Sequence, residues 1–295
     1  PPAPLPEGIG AAPPRPALVL AVLGDSMRNP ESVAWDARRG ELLVSNVNGP
    51  PGAKDDNGYI SRVSMDGTLQ QARLVDSRRQ STTLHAPKGM VVVGDTVWVA
   101  DVDALRAFDA QTGAPVATVD LAPLGATFLN DVAVGPDGAL YVTDTGIRVR
   151  ADGLVEHPGR DRVYRVDPDG RPTVALESAR LRMPNGIAWD GDAERFVIAP
   201  LGSDTIFAWR PGSTELTPAA TGPGQYDGIA VLSGGRLLVS SGGTSAIHLF
   251  QPDGTHRKVI ENVPTPADFV HLPNQDVVVV PLLGANRVEW WILRE

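Results

Sequence analysis

One pattern recurs six times along this chain: a polar opening, a small residue, an apolar strand, a turn and a second apolar strand. The openings are Pro30-Glu31-Ser32-Val33-Ala34-Trp35, Pro87-Lys88-Gly89-Met90-Val91-Val92 and Leu129-Asn130-Asp131-Val132-Ala133-Val134. They continue as Pro184-Asn185-Gly186-Ile187-Ala188-Trp189, Tyr226-Asp227-Gly228-Ile229-Ala230-Val231 and Ala267-Asp268-Phe269-Val270-His271-Leu272. A unit repeated at roughly 40–50 residues cannot bury its apolar faces alone and must stack on its neighbours. Second and third apolar runs follow each opening, for example Glu41 to Ser45 and Tyr59 to Val63 in the first repeat. Weaker fourth runs, such as Leu69 to Leu74 and His256 to Ile260, read as outer edge strands. Asp66-Gly67, Asp137-Gly138, Asp169-Gly170 and Asp253-Gly254 read as tight turns, because such turns need a positive φ that glycine supplies.

The sixth repeat lacks a fourth strand, and the run Ala17 to Leu23 at the other end has no repeat of its own. Supplying that run to the last unit closes a ring and hides two sheet edges. The expected fold is therefore all-β, a six-bladed β-propeller over residues 17–295, closed by an N-terminal strand. Residues 1–16 are Pro-, Ala- and Gly-rich and read as a leader or linker. Such a leader often follows a removed signal peptide, so a periplasmic or secreted protein is expected, with a trimmed cytoplasmic one as the alternative.

Composition narrows the partners. The chain has 295 residues, with 31 Gly and 27 Pro, turn formers suited to many short strands. Its net charge of −9 has no basic stripe, which argues against nucleic acid. No apolar stretch approaches the ~18–20 residues of a membrane span. There is no cysteine, so disulfides are excluded. A monomer acting on a small molecule is expected.

In a propeller the inner strands line a central channel, so the six openings converge at one mouth. They contribute Glu31, Lys88, Asn130, Asn185, Asp227 and Asp268. Glu31, Asn130, Asn185 and Asp227 form an oxygen set suited to a hard divalent cation. Ca²⁺ suits it best, with Mn²⁺, Mg²⁺ or Zn²⁺ as alternatives.

These residues also carry a resemblance. Pro30-Glu31-Ser32-Val33-Ala34-Trp35-Asp36, Pro184-Asn185-Gly186-Ile187-Ala188-Trp189-Asp190 and Tyr226-Asp227-Gly228-Ile229 resemble segments of the SMP-30/gluconolactonase/luciferin-regenerating-enzyme-like propellers. The similarity runs from about Ala17 to Leu293; one departure is Val33, in a region where the family often has proline. The resemblance implies metal binding by Glu31, Asn185 and Asp227, and metal or substrate binding by Asn130. It implies a lactone- or ester-opening hydrolase with Asp227 as general base. Lys88 would orient an anionic substrate or stabilise negative charge. The alternative is a non-catalytic propeller that binds a ligand or protein.

Three further features stand apart from the ring of openings. Asn46, Asp101 and Asp144 end second strands and read as turn caps. The segment from Asn46 to Asn57 reads equally as a lid over the mouth or an ordered surface loop. Gly24-Asp25-Ser26-Met27 with Asp268-Phe269-Val270-His271 mimics a serine esterase, but the alternating strands and helices of such enzymes are missing.

Overall fold

The computed structural model describes residues 18–24, 26–80, 82–150, 154–272 and 274–293. The Pro-rich leader lies outside the described residues. Six four-stranded antiparallel sheets make the blades of a β-propeller. Their inner strands are Pro30–Asp36, Pro87–Val93, Leu129–Val134, Pro184–Asp190, Tyr226–Leu232 and Val270–Leu272. Leu18–Leu23 pairs antiparallel with Arg287–Ile292 and becomes the outer strand of blade six. The ring is thus closed by joining the two ends of the chain, as the spare and missing strands required.

The core is divided as a ring of stacked units should be. Six apolar clusters each fill the space between two consecutive blades. Between blades three and four, Tyr141 meets Phe196 at a centroid distance of 4.5 Å, and Phe196 stacks on Trp209 at 5.8 Å. The Asp-Gly turns behave as read: Gly67, Gly138, Gly170 and Gly254 have φ between 77° and 86°. Each aspartate accepts the backbone N–H two residues on, such as Thr68 to Asp66 at 3.0 Å and Thr255 to Asp253 at 2.9 Å. Among the described residues no helix is long and apolar enough to cross a membrane.

A shared irregularity positions the site. In blades one to five the inner strand pairs at its first residue and again three residues on, while the second strand advances only two. Pro30 pairs with Asn46 and Val33 with Val44, for example. This is a β-bulge, which frees residues from the ladder and re-aims their side chains. Blade six carries the same one-residue excess between Pro266–Leu282 and Val270–Val279. Its register corrects one sequence expectation. Ala267, not Asp268, occupies the first bulge position, and Asp268 occupies the second. The buried apolar residues that follow, Val33, Met90, Val132, Ile187, Ile229 and Phe269, fall into one column only with this alignment.

Candidate active site at the channel mouth

The first bulge position holds Glu31, Lys88, Asn130, Asn185, Asp227 and Ala267 around the ring. The second holds Ser32, Gly89, Asp131, Gly186, Gly228 and Asp268. The second column is crowded. A Cβ at Gly186 would lie 2.3 Å from the carbonyl oxygen of Asp227, and one at Gly228 would lie 2.8 Å from the Asp268 Cα. Glycine there lets each blade press its opening against the next.

Where the second position carries a side chain, it ties blades together. Asp131 Oδ2 accepts the Ile187 N–H at 2.8 Å, and its Oδ1 accepts that of Val132 at 2.7 Å. Ser32 Oγ donates to Asp268 Oδ2 at 2.5 Å, and the Asp268 N–H donates to the Glu31 carbonyl at 2.9 Å. The bulge would also orphan backbone N–H groups in the interior. In alternate blades a hydroxyl on the second strand accepts them: Ser45 from Ser32 at 2.9 Å, Thr143 from Asp131 at 3.0 Å, Ser240 from Gly228 at 2.8 Å.

The first-column side chains are held differently. Asn130 Nδ2 donates to Thr145 Oγ1 at 3.0 Å, and Asn185 Nδ2 donates to the Tyr226 carbonyl at 3.4 Å. Both amide nitrogens are thereby engaged by the scaffold, and the amide oxygens are left for the channel. Lys88 is fully buried; its Nζ donates to the Ala86 carbonyl at 3.2 Å and lies 4.2 Å from the centroid of the Phe128 ring. Glu31 Oε2 and Asp227 Oδ1 are buried with no hydrogen-bond partner. Leaving a buried carboxylate oxygen unpaired is costly, and such groups call for an explanation.

The electrostatics follow. Burial pushes the Glu31 carboxyl well above the usual carboxylate range. The negative charges of Asp227, Asp268 and Asp131 add to this, against Lys88. Burial and then the Asp268 charge push Asp227 up to about 8, while the Asn185 amide draws it back. Burial also raises Asp268, to about 7, against the Ser32 hydroxyl bond. Asp131 is likewise pushed well up by burial and by Asp268. Burial lowers the Lys88 ammonium, with Glu31 acting against it. Four carboxyl groups thus crowd one another, Lys88 bears chiefly on Glu31, and their charge is under-compensated by the protein.

Among the described residues no three His, Cys, Asp or Glu side chains are grouped as a metal site. The expected set contains only two carboxylates, the rest being amides, so the test of fit lies in its own atoms. Two orphaned carboxylate oxygens and two amide oxygens, on four blades of one ring, are hard oxygen donors of the kind a divalent cation takes. The set fits such an ion.

The other sequence candidates separate cleanly. Asp101 and Asp144 are caps: Asp101 accepts the N–H groups of His85 and Ala86, and Asp144 those of Thr127, Phe128 and Gly146. Asn46 Oδ1 takes the Arg28 N–H in the same way. The connection after Asn46 is ordered by its own bonds, including Asn48 Nδ2 to the Asn57 carbonyl at 2.9 Å, and it reaches across blade two. The two parts of the esterase-like pattern are engaged elsewhere: the Ser26 carbonyl accepts the Tyr59 hydroxyl, and His271 lines a groove with Ala230, Ser233 and Arg236. Two site residues escaped the sequence reading. Asp131 was hidden because it departs from the small residue that the repeat shows at the second position, and only the bulge reveals that a side chain there spans two blades. Phe128 stood in a connection, where a lone bulky aromatic before a polar opening was the available signal.

The family model described as the SMP-30/Gluconolactonase/LRE-like region matches residues 29–271. The chain belongs to this family. No curated protein matches it. Among solved structures it is similar to a gluconolactonase from Xanthomonas campestris, with 22% identity and a TM-score of 0.71 over 96% of this chain and 98% of that one. It is also similar to a virginiamycin B lyase from Staphylococcus aureus, with 12% identity and a TM-score of 0.62 over 92% and 98%. A structure of a nidogen/laminin complex matches with 14% identity and a TM-score of 0.61 over 79% and 80%. At these identities the structures share the fold, and the fold alone does not set the function.

Proposed function

We propose that this family member is a divalent-cation-dependent hydrolase that opens a lactone or cleaves a related ester at the channel mouth. The observation that carries the reading is the pair of buried, unpartnered oxygens, Glu31 Oε2 and Asp227 Oδ1, in the ring that also presents Asn130 and Asn185. Those four residues would hold the cation, with Ca²⁺ the ion best matched to the donors. A bound divalent ion supplies Lewis-acid polarisation of a carbonyl and stabilises the charge that develops on its oxygen.

The chain's own groups do the rest. Asp227, with its carboxylate against the Asn185 amide, would take a proton from an attacking water. Asn130, anchored through Thr145, offers its amide oxygen to cation or substrate. Lys88 has hydrogens beyond the one given to the Ala86 carbonyl, and these orient the ester and meet the carboxylate product. The bulge fixes all four elements on rigid strands, so positioning costs little on binding.

The test is metal analysis of the purified protein with lactone hydrolysis followed by proton release, before and after chelation. One bound divalent ion, and turnover lost on chelation and restored by Ca²⁺, are expected. A metal-free protein that turns over no lactone or ester overturns the reading in favour of a binding propeller.

A further inference from the structure

The rim of the mouth is not uniform. In blades one, four, five and six the residue before the opening, Asn29, Met183, Gln225 or Thr265, adopts a left-handed φ of 48° to 60°. Met183, Gln225 and Thr265 then lean outward on the connection between the second and third strands of their own blade. The Gly284 N–H, for instance, donates to Thr265 Oγ1 at 2.9 Å. Blades two and three depart from this: Ala86 is not left-handed, and its N–H is held by Asp101 Oδ1 at 2.7 Å. Phe128 is not left-handed, and its N–H is clamped by Asp144 Oδ1 at 2.9 Å. Its ring is thereby turned inward over Lys88.

Two long connections meet above that ring. A Cβ on Gly52, from blade one, would lie 3.3 Å from Val149 Cβ, on blade three, and 3.6 Å from Phe128 Cε2. Val149 pairs with Val155 in a short hairpin, and Val155 is 56% exposed. Leu154, beside it, and Leu201, on the corresponding connection of blade four, are exposed too. Apolar side chains therefore run from the Lys88 ammonium outward along one side of the mouth, opposite the polar rim of Gln225, Thr265 and Asn29.

Resting on the hydrolase reading above, we propose that Phe128, Val149 and Val155 form a subsite for an apolar, non-reacting part of the substrate. The substrate class is then a lactone or ester bearing an alkyl or aryl substituent, not a polyhydroxylated one. The reacting carbonyl sits over the polar ring, and the substituent lies along blade three.

The test uses the metal-loaded protein with γ-lactones carrying side chains from none to eight carbons, alongside glucono-δ-lactone. kcat/KM is expected to rise about three- to fourfold per methylene for the first carbons, and glucono-δ-lactone to be the poorer substrate. A double variant, Val149→Asp with Val155→Asp, should cut the ratio of octyl to unsubstituted lactone at least tenfold, chiefly through KM. Val149→Leu should retain it. Phe128→Ala tests the inner end, with calorimetric binding of the ring-opened hydroxy acids as a readout independent of turnover. Flat chain-length dependence in both turnover and binding, unmoved by the aspartates, overturns the subsite while leaving the hydrolase reading intact. Chain-length-dependent binding of the hydroxy acids without lactone turnover supports the subsite and overturns the hydrolase. A change in oligomeric state on Val→Asp substitution, with the ratio unmoved, assigns the patch to self-association and overturns the subsite.

Discussion

Asp144 and Asp227 are aspartates of one rim, and they are treated in opposite ways. The Asp144 carboxylate accepts the N–H groups of Thr127, Phe128 and Gly146 and the hydroxyls of Thr127 and Tyr164. Asp227 has a buried oxygen that receives nothing. The first has its charge spent on holding a connection; the second has its charge left over. A buried carboxylate satisfied by the scaffold is structural, and one deprived by it marks where something else must bind.

The largest expected effect comes from replacing the deprived groups. Glu31→Gln and Asp227→Asn should each lower lactone turnover on the order of a thousandfold, with loss of the bound cation in metal analysis. Neither should destabilise the metal-free protein in a denaturant titration, because an amide removes repulsion. A variant that unfolds easily while keeping activity would reverse the roles assigned to the two kinds of carboxylate.

The same surplus charge sets a pH dependence. An unfolded aspartate titrates near 4, whereas Asp227 titrates at about 8 in the folded protein. Between those values the folded site retains a proton that the unfolded chain has released. The contribution of this group to the stability of the chelated protein is therefore full at the acid end of the window and falls as pH rises through it, by up to about 1.4 kcal/mol per pH unit for one proton. Added Ca²⁺ or Asp227→Asn should flatten the profile in a pH series of thermal melts. A chelated wild type with no such slope would mean that the charge is compensated within the protein.

Asp144→Ala probes the satisfied side. It leaves three backbone donors without an acceptor and should cost about 3 kcal/mol, read by denaturant unfolding. It also frees Phe128, so lactone selectivity should change more than turnover of the smallest lactone. Equal losses across all lactones would show that Asp144 supports the whole mouth and not the Phe128 side.

The sequence made the ring legible because its repeat is a repeat of physical needs: apolar strands, Asp-Gly turns and a polar residue at each opening. Self-alignment therefore placed Glu31, Asn130, Asn185 and Asp227 at equivalent openings of blades one, three, four and five without any long-range information. It slipped by one in blade six, since the true first position there is Ala267 and the polar-opening pattern is met only by moving on to Asp268. The ladder, with Pro266 against Leu282, and the buried apolar column that includes Phe269 decide it. The role of the second bulge column was hidden for a related reason. Whether Asp131 points into a turn or across to Ile187 depends on a bulge that no local propensity encodes.

That second column supplies the smallest effect and the sharpest geometric test. Gly186 has no special φ to defend; it is required because the Asp227 carbonyl oxygen lies 2.3 Å from where a Cβ would stand. The obstacle is backbone, so a methyl cannot be accommodated by turning a side chain. Gly186→Ala must push blades four and five apart at the mouth, at a cost of about 2 kcal/mol. Because the displaced residue is Asp227 itself, cation affinity should fall in the same variant, whereas Gly138→Ala, in open space at the far turn, should cost only its positive-φ strain and leave affinity alone. Calcium titration of the two variants separates them. Equal affinity in both would show that the Asp227 position is not set by the contact between neighbouring openings.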